Sequence, residues 1–561
     1  MNERRAGSRA LIITMASAFL LKLWVTSETR IIPAYAPHDG LNYLEHAKAI
    51  AMGLWFGPYD DLTLIKQPFF PIYMAGLQEF GIPLPIAHLL FYGLACFVAC
   101  FAIKPLVRNP YFLSAIFVVL YFNPMENNGD SWLSTRAQVN PSLALMVISC
   151  AIGIYVRRRA GISSTLRWSL ALGAAFAAFW LTREEAVWIL PALAVLLFAY
   201  LYAAVRNGAW NVVRDRLLVT AVPLAIWALA VGTIMTINGV HYGWFTTAEN
   251  TSPELVSAYD SLARIDPGVP TDPRFPVPHA ARLIAYRVSP AARELAPSLD
   301  GAKGAAWGNF GCLQLKACGD IHGGWFIWAF RDSVSDAGYY ATGAKARAFY
   351  VRLATEIDAA CATGTIRCRP KGHTLAPPLK TSDLPLLAAN FVIGARFGLT
   401  FSQFSTEPWH LVGPASVRPD YDFIVRSVDD GFPNEPAGID DDLKRALLVD
   451  FGQTYQVLFP PWFVLALAAV VMRLVLAIRS RTNSIEAEYL IPLAAIVTGF
   501  ASLVLVLALV DTLSFPSFNP EYLGPLFPLL ILFVTITTAN EAPGILHAID
   551  RRLPQAPGFE C

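Results

Sequence analysis

Long, continuously apolar runs alternate with short polar stretches along most of this chain. These runs predict helices, because membrane β-strands would alternate apolar and polar residues instead. Several runs are long enough to cross about 30 Å of hydrocarbon. The predicted spans are residues 10–27, 84–103, 110–122, 141–156, 168–182, 186–205, 217–237, 457–478, 489–510 and 522–539. The pattern therefore predicts a mainly α fold, a polytopic membrane helical bundle of about ten spans.

Composition supports a membrane protein and excludes one class of partner. The 561 residues are 55% hydrophobic and 15% charged, whereas a soluble chain carries about 25% charged residues. A net charge of +1 gives no basic patch, and no RNA- or DNA-binding motif is present, so no nucleic acid partner is expected. The chain also has no GxGxxG and no Walker motif, so an ATP-driven pump is not expected from this chain alone.

Basic residues set the predicted topology. Arginines and lysines concentrate in alternate loops and at both termini, which the positive-inside rule places in the cytoplasm. We expect a multi-pass protein of the bacterial inner membrane, with its active site facing the periplasm. The stretch Ala34, Tyr35 and Ala36 could serve as a signal-peptidase site, but a retained first helix is the preferred interpretation, because it holds Asp39 close to the membrane.

One large polar segment divides the chain into three parts. Residues 1–238 are predicted to form a membrane module whose first outer loop, 28–83, is catalytic. Residues 239–455 are long enough to hold a core of their own and are predicted to be a periplasmic domain. Residues 456–561 are predicted to hold the last spans and a short cytoplasmic tail.

Four cysteines, Cys312, Cys318, Cys361 and Cys368, lie in this large segment. In an oxidising compartment they predict two disulfides, with three possible connectivities. A zinc site is the weaker alternative, because the cysteines within each pair are spaced more widely than usual zinc ligands.

The first outer loop begins with an acidic residue. Asp39 precedes a stretch, Gly40 to Met52, that looks helical, so it could simply cap this helix. Alternatively, Asp39 is a general base at the membrane surface. Tyr43 follows four residues later on the same helix face, where it is a candidate substrate-binding residue. The two interpretations of Asp39 are compatible.

The same loop ends with candidate phosphate and metal ligands. Asp60 and Asp61 follow Gly57 and Pro58 and either form an ordinary turn or help Asp39 to hold a divalent cation, Mg or Mn. No cofactor is required by this pattern. Lys66 either extends along the membrane interface to water or donates to a lipid-linked phosphate.

Three further polar clusters fall on the same side of the predicted membrane. Consecutive charges at Arg183, Glu184 and Glu185 are costly if they face lipid, so they are expected either to face a polar cavity or to be solvated at the loop. Arg136 ends another outer loop, and Glu521 with Tyr522 stands where the last loop enters the final span. We interpret Arg183 as a phosphate ligand, and Arg136, Glu184, Glu185 and Tyr522 as substrate-binding residues.

At these residues the chain resembles the GT-C superfamily of membrane glycosyltransferases, above all lipid A aminoarabinose transferases and protein O-mannosyltransferases. The first outer loop of those families reads acid, Tyr at +4, Ala at +8, a Gly-x-Trp turn and a Lys-Pro-Pro entry. Here the matching positions are Asp39, Tyr43, Ala47, Gly53 to Trp55, and Lys66 to Pro68. The chain departs from the pattern in its single acid, Asp39, and in Gln67, Asn140 and Glu521.

The resemblance implies an inverting transfer of a sugar from a polyprenyl-phosphate carrier to a glycan, lipid or protein acceptor, among membrane lipids. In that reaction Asp39 acts as base, while Lys66 and Arg183 bind the phosphate. Two other functions stay open: a transporter or flippase for a lipid-linked glycan, and a non-catalytic subunit of a polysaccharide assembly system in the cell envelope. The lack of an internal repeat and the position of the charges at span ends favour the enzyme.

Overall fold

A computed structural model describes residues 2–27, 38–107, 109–128, 136–206, 210–269, 272, 274–315, 318–372, 375, 379–406, 415–426, 442–480 and 485–550. Within these residues the chain is helical, with no strand and one isolated antiparallel bridge between Ile265 and Cys368. The helical fold class predicted from the sequence is confirmed.

The first helices, α1 to α9, form the amino-terminal part of the chain. They are α1 Asn2–Val25, α2 Gly40–Ala51, α3 Phe69–Glu79, α4 Leu84–Ile103, α5 Pro110–Tyr121, α6 Arg136–Val156, α7 Ile162–Trp180, α8 Leu190–Arg206 and α9 Trp210–Tyr242.

The remaining helices are mostly shorter until the last long pair. They are α10 Pro253–Ala263, α11 His279–Val288, α12 Pro290–Leu299, α13 Ala302–Leu315, α14 Gly323–Asp336, α15 Gly343–Ala362, α16 Leu384–Thr400, α17 Arg418–Val425, α18 Asp442–Ser480, α19 Ile485–Leu513, α20 Pro520–Leu523 and α21 Leu526–Asp550.

Seven helices in the described part of the chain are long and apolar enough to cross a membrane, so the expected count of about ten is not confirmed. They are Leu84–Ile103, Val139–Val156, Ile162–Trp180, Ala186–Arg206, Trp210–Tyr242, Asp442–Arg479 and Glu488–Leu513. The other three predicted spans are also helical. However, α5 has 12 residues and the apolar stretch Leu526–Ala542 of α21 is also short. At 1.5 Å per residue neither reaches the full thickness of about 30 Å.

The long apolar helices share one hydrophobic cluster. Val139–Val156 in α6 lies at its centre, since 94% of this stretch is buried by the rest of the protein. Gly153 allows close packing of α6 on α7, because a Cβ atom there would meet the Trp168 ring at 2.5 Å. The consequence is a closely packed helical scaffold.

A second hydrophobic cluster is built mainly from α10 to α15, and Phe56 and Leu64 of the first outer loop are buried in it. Cys312 pairs with Cys318 and Cys361 with Cys368, with Cα atoms 4.6 and 5.7 Å apart, as disulfides require. The disulfide interpretation is thus confirmed, and one of the three connectivities is selected.

The first outer loop belongs to both clusters. Tyr43 and Phe70 pack with the membrane helices, whereas Phe56 and Leu64 pack with the second cluster. Within residues 239–455, α16 packs on α19 and contributes to the first cluster through Phe391. The three-part division of the chain stays a prediction.

Candidate active site

One cavity of about 480 Å³ gathers most of the residues that the sequence singled out. It lies where the first outer loop, the hairpin between α7 and α8, and the start of α14 meet the loop after α19. Its charged lining residues are Asp39, Lys66, Arg183, Glu184, Glu185 and Glu521, and Tyr522 lines it as well. The expected convergence of separate polar clusters is therefore observed.

Asp39 stands directly before α2, at its N-cap position, but its side chain does not cap the helix. Its side chain makes no capping hydrogen bond. Instead the carboxylate pairs with Lys66, with Oδ1 and Nζ 2.5 Å apart. The Asp39 side chain is half exposed and lines the cavity, so an incoming hydroxyl group can reach it.

Lys66 is held inside the protein rather than extended to water. Only 10% of its side chain is exposed, and its ammonium group lies 5.3 Å from the centre of the Trp328 ring. Burial lowers the pKa of the neighbouring His38 imidazole, which contacts the edge of Trp328. The ammonium group of Lys66 therefore faces one carboxylate and one aromatic ring. From this position it can donate a strong charge-assisted hydrogen bond to a phosphate.

Backbone contacts on both sides fix the position of Lys66. The two preceding carbonyl groups accept hydrogen bonds: Leu64 O from the Glu249 amide at 2.7 Å, and Ile65 O from the Asn250 side chain at 3.1 Å. Three residues after Lys66, the Phe69 amide donates to the Leu181 carbonyl at 2.8 Å. Because Leu181 lies two residues before Arg183, this bond ties the two cationic segments together.

A buried ion pair anchors this arrangement to the second cluster. Glu249 and Arg331 are 0% and 1% exposed and pair directly. The Glu249 carboxylate also accepts from the hydroxyl groups of Tyr59 and Tyr340, at 2.7 and 2.8 Å. Arg331 donates as well to the Asp61 carbonyl. We name these side chains, Glu249, Arg331, Tyr59 and Tyr340, the anchor; it holds the first outer loop against α14.

Arg183 forms the second cationic centre. Its side chain is 2% exposed and pairs with Glu185 and with Glu521, the latter at 3.0 Å. The guanidinium group also lies over the Tyr522 ring, 4.3 Å from its centre. Arginine's planar fork suits two carboxylates at once and can recognise a phosphate in the same way.

Two tryptophans and two glycines of α14 complete the wall. Trp325 and Trp328 are three residues apart, so they share a helix face, and both line the cavity. Gly323 and Gly324 let this helix approach the loop after α19, because a Cβ atom at Gly324 would meet the Phe515 ring at 2.7 Å. The cavity thus combines ionic groups with aromatic surface.

Three predicted residues, Tyr43, Asp60 and Asp61, are not in this lining. Tyr43 packs edge-on against Phe70 at 5.5 Å within the first hydrophobic cluster. Asp60 accepts from Thr63 and from the Leu62 amide, as an ordinary turn aspartate does. The side chain of Arg136 lies outside the described residues, although α6 begins at this position.

Asp61 contributes its carbonyl to the anchor, and burial raises the pKa of its carboxyl group. In the described part of the chain, no three His, Cys, Asp or Glu side chains are grouped so as to hold a metal ion. The structure therefore does not bring Asp39, Asp60 and Asp61 together as ligands. A divalent ion at Asp39 stays a prediction.

Several site residues were not identified from the sequence. They are Asn250, Tyr259, Trp325 and Trp328, all in the cavity lining. A faint signal for the tryptophans existed, since Gly-Gly-Trp-x-x-Trp places two large rings on one face beside a close helix contact. Asn250 and Tyr259 sit in unremarkable sequence, and only the fold brings them into the cavity that Lys66 lines.

Neither a protein-family model nor a curated protein matches this chain. Two solved structures that match are both of ArnT from Cupriavidus metallidurans, one in the apo state and one bound to undecaprenyl phosphate. Each match covers 98% of this chain and 81% of that chain, with 13% and 14% identity and a TM-score of 0.30. They come from the aminoarabinose transferase group that the sequence resembles. At this TM-score the chemistry of the site rests on the geometry described above.

Proposed function

We propose that this protein is an inverting glycosyltransferase that moves a sugar from a polyprenyl-phosphate carrier to a hydroxyl group of a periplasmic glycan, lipid or protein acceptor. One observation carries the proposal: an accessible carboxylate, Asp39, shares a cavity with two buried cations, Lys66 and Arg183. A sugar phosphate donor needs a base for the acceptor and cations for the leaving phosphate.

The reaction follows from these positions. Asp39 accepts the proton of the acceptor hydroxyl while that oxygen forms a bond to the anomeric carbon. The bond between the anomeric carbon and the phosphate oxygen breaks, and its electron pair leaves with the polyprenyl phosphate. Lys66 and Arg183 stabilise the charge that develops on that phosphate. Attack from the face opposite the leaving group inverts the anomeric configuration.

A separate apolar cavity suits the carrier's lipid chain. It measures about 240 Å³ and lies among α6, α7, α8 and α9, with Phe176, Leu190 and Leu197 in its wall. Leu190 starts α8, five residues after Glu185 of the charged cavity. Because the isoprenoid chain is already out of water in the bilayer, this cavity would hold it through van der Waals packing rather than through the hydrophobic effect.

The test compares wild type with Asp39→Asn, purified and reconstituted in lipid, on a panel of radiolabelled polyprenyl-phosphate sugars and a membrane glycan extract. We expect transfer by wild type and a loss of about 10² to 10⁴ in the variant, with folding intact. Asp336→Asn is the matched control, because Asp336 pairs with Lys303 on the exposed surface away from the cavity.

If Asp39→Asn folds and keeps full transfer activity, Asp39 is not the base. No turnover by wild type with any donor shifts the function to transport of a lipid-linked glycan or to a structural subunit. A flipping assay on the same vesicles then separates those two alternatives.

A further inference from the structure

Three residues that line the charged cavity each carry a buried polar atom with no hydrogen-bond partner within the described protein: Oδ1 of Asn250, the hydroxyl group of Tyr259 and Oε1 of Glu184. Most buried polar atoms in native proteins are hydrogen-bonded, and leaving one unpaired costs stability. Three such atoms in one cavity therefore indicate a ligand that supplies the missing partners.

Tyr259 is the most constrained of the three. It is 1% exposed, and its ring contacts the edge of Phe326 with centres 5.6 Å apart. It belongs to α10, which packs along α15. Because packing fixes the ring, a ligand in the cavity that Tyr259 lines is the candidate partner for its hydroxyl group.

The orientation of the Asn250 amide is set by its neighbour. Its nitrogen Nδ2 donates to the Ile65 carbonyl at 3.1 Å, and a reversed amide would place two oxygens against each other. Oδ1 is therefore the acceptor left in the cavity. Ile65 directly precedes Lys66, so this acceptor is fixed next to the cation that we assign to the donor phosphate.

These atoms define the chemistry of the ligand. Two acceptor oxygens and one hydroxyl require a partner with several O–H or N–H donors. Asn250 and Tyr259 are neutral, so they favour hydroxyl groups over a charged group. Trp325 and Trp328 in the same lining offer flat apolar surfaces of the kind that amphipathic rings use.

We infer that Asn250, Tyr259 and Glu184 form a subsite for the hydroxyl groups of an uncharged monosaccharide, the sugar carried by the polyprenyl-phosphate donor. This inference rests on the proposed function and deepens it. The subsite sets donor specificity, because a site built to bond a hydroxyl rejects a ligand that lacks one.

The experiment measures binding to the full-length protein in lipid nanodiscs. The probes are a polyprenyl monophosphate alone and the same carrier bearing glucose, galactose, mannose, arabinose or glucosamine. We expect at least one uncharged sugar to raise affinity about tenfold or more over the monophosphate. Tyr259→Phe should lower the affinity for that sugar-bearing carrier about tenfold. It should not lower the unfolding temperature, because the hydroxyl group has no hydrogen-bond partner in the described protein to lose.

Tyr339→Phe serves as the matched control. Its hydroxyl group bonds Glu294 at the exposed surface, outside the cavity, so its removal should leave the sugar-dependent gain unchanged. Glu184→Gln keeps an acceptor oxygen but removes the charge. With an uncharged sugar it should therefore retain most of the gain.

Three results overturn the inference: no sugar raises affinity over the monophosphate, Tyr259→Phe keeps the whole gain, or the gain appears only with glucosamine and disappears in Glu184→Gln. Binding of the monophosphate itself distinguishes this failure from failure of the proposed function. If wild type binds it and Lys66→Ala does not, the phosphate site stands while the sugar subsite falls. If wild type does not bind it, both fall.

Discussion

Removing the cation of the anchor gives the sharpest test of how the first outer loop is held. Arg331→Met keeps a long apolar side chain but leaves the Glu249 carboxylate buried, with only the Tyr59 and Tyr340 hydroxyl groups as charge-neutral partners. Both members of the pair are at most 1% exposed. Breaking a buried pair from one side costs about 3–5 kcal/mol, and we expect a cost of that order here.

The loss should be local. Arg331 bonds Asp61 O and Glu249, and the Glu249 amide bonds Leu64 O, so the contact that opens is the one between the first outer loop and the second cluster. Hydrogen exchange followed by mass spectrometry reports such local opening. Since about 1.4 kcal/mol corresponds to tenfold, exchange in residues 57–66 should accelerate by about 10² to 10⁴.

Arg347→Met is the matched control, because Arg347 pairs with Glu254 at 2.6 Å but is 51% exposed. Such pairs contribute about 0–1 kcal/mol, so exchange in the loop should not change. The double variant Glu249→Gln with Arg331→Met should recover most of the protection, since no buried charge remains. Equal exchange in the two single variants, or no recovery in the double variant, refutes the anchoring role.

Three further predictions test other parts of the site. Burial lowers the pKa of His46 to about 4 from 6.5, so protonation favours the unfolded state. The free energy of unfolding should therefore fall by about 3 kcal/mol as pH drops from 6.5 to 4. Urea unfolding of wild type should show this pH dependence, and His46→Gln should lack it. Arg183→Lys keeps the charge but loses the planar fork, so kcat/KM should fall about 10²-fold at an unchanged unfolding temperature in a thermal melt. Non-reducing peptide mapping should find Cys312 linked to Cys318 and Cys361 to Cys368, each closing a short loop worth about 2 kcal/mol, and peptides that cross-link the two pairs would contradict the fold.

The parts of the fold that depend on local pattern could be predicted from the sequence. Continuous apolar runs identified the long helices, because hydrocarbon demands about 20 apolar residues per span. The count of about ten spans from the same signal is not confirmed, since residues 110–122 are equally apolar but form a helix of only 12 residues. The apolar pattern predicted no span at α16, because its 17 residues include Asn390 and Arg396. In the structure, however, α16 packs on α19.

The site residues likewise divide into those that a local sequence pattern indicates and those that only tertiary packing brings together. A cluster of charges at a span end, as at Arg183 to Glu185, indicates either a polar cavity or a solvated loop, and the structure shows the cavity. Pairings between distant positions carry no such signal: Arg183 and Glu521 are 338 residues apart, and Asn250 reaches Ile65 across 185 residues. Only tertiary packing decides which side chains line the cavity, which is why Tyr43 and Asp60 were expected there and Tyr259 was not.

The charge balance of the cavity links donor binding to the availability of the base. Its described lining holds two cations, Lys66 and Arg183, and four carboxylates, a formal charge of −2. Two unit charges 4 Å apart interact by about 4 kcal/mol at an effective dielectric constant of 20, so a donor phosphate must compete with these carboxylates. A donor phosphate that pairs with Lys66 should displace Asp39 from it, so that the Asp39 carboxylate is more available to accept a proton when a donor is present.

A carboxyl-directed carbodiimide tests this displacement, because it reacts with accessible carboxyl groups. Labelling of Asp39, measured by peptide mass spectrometry, should rise when a polyprenyl monophosphate saturates the protein. Lys66→Met supplies the limiting case, since Asp39 has already lost that partner and its labelling should be high with or without the carrier. If the carrier lowers the labelling of Asp39 in wild type, the phosphate binds without releasing the acid, and donor binding is not what frees the base.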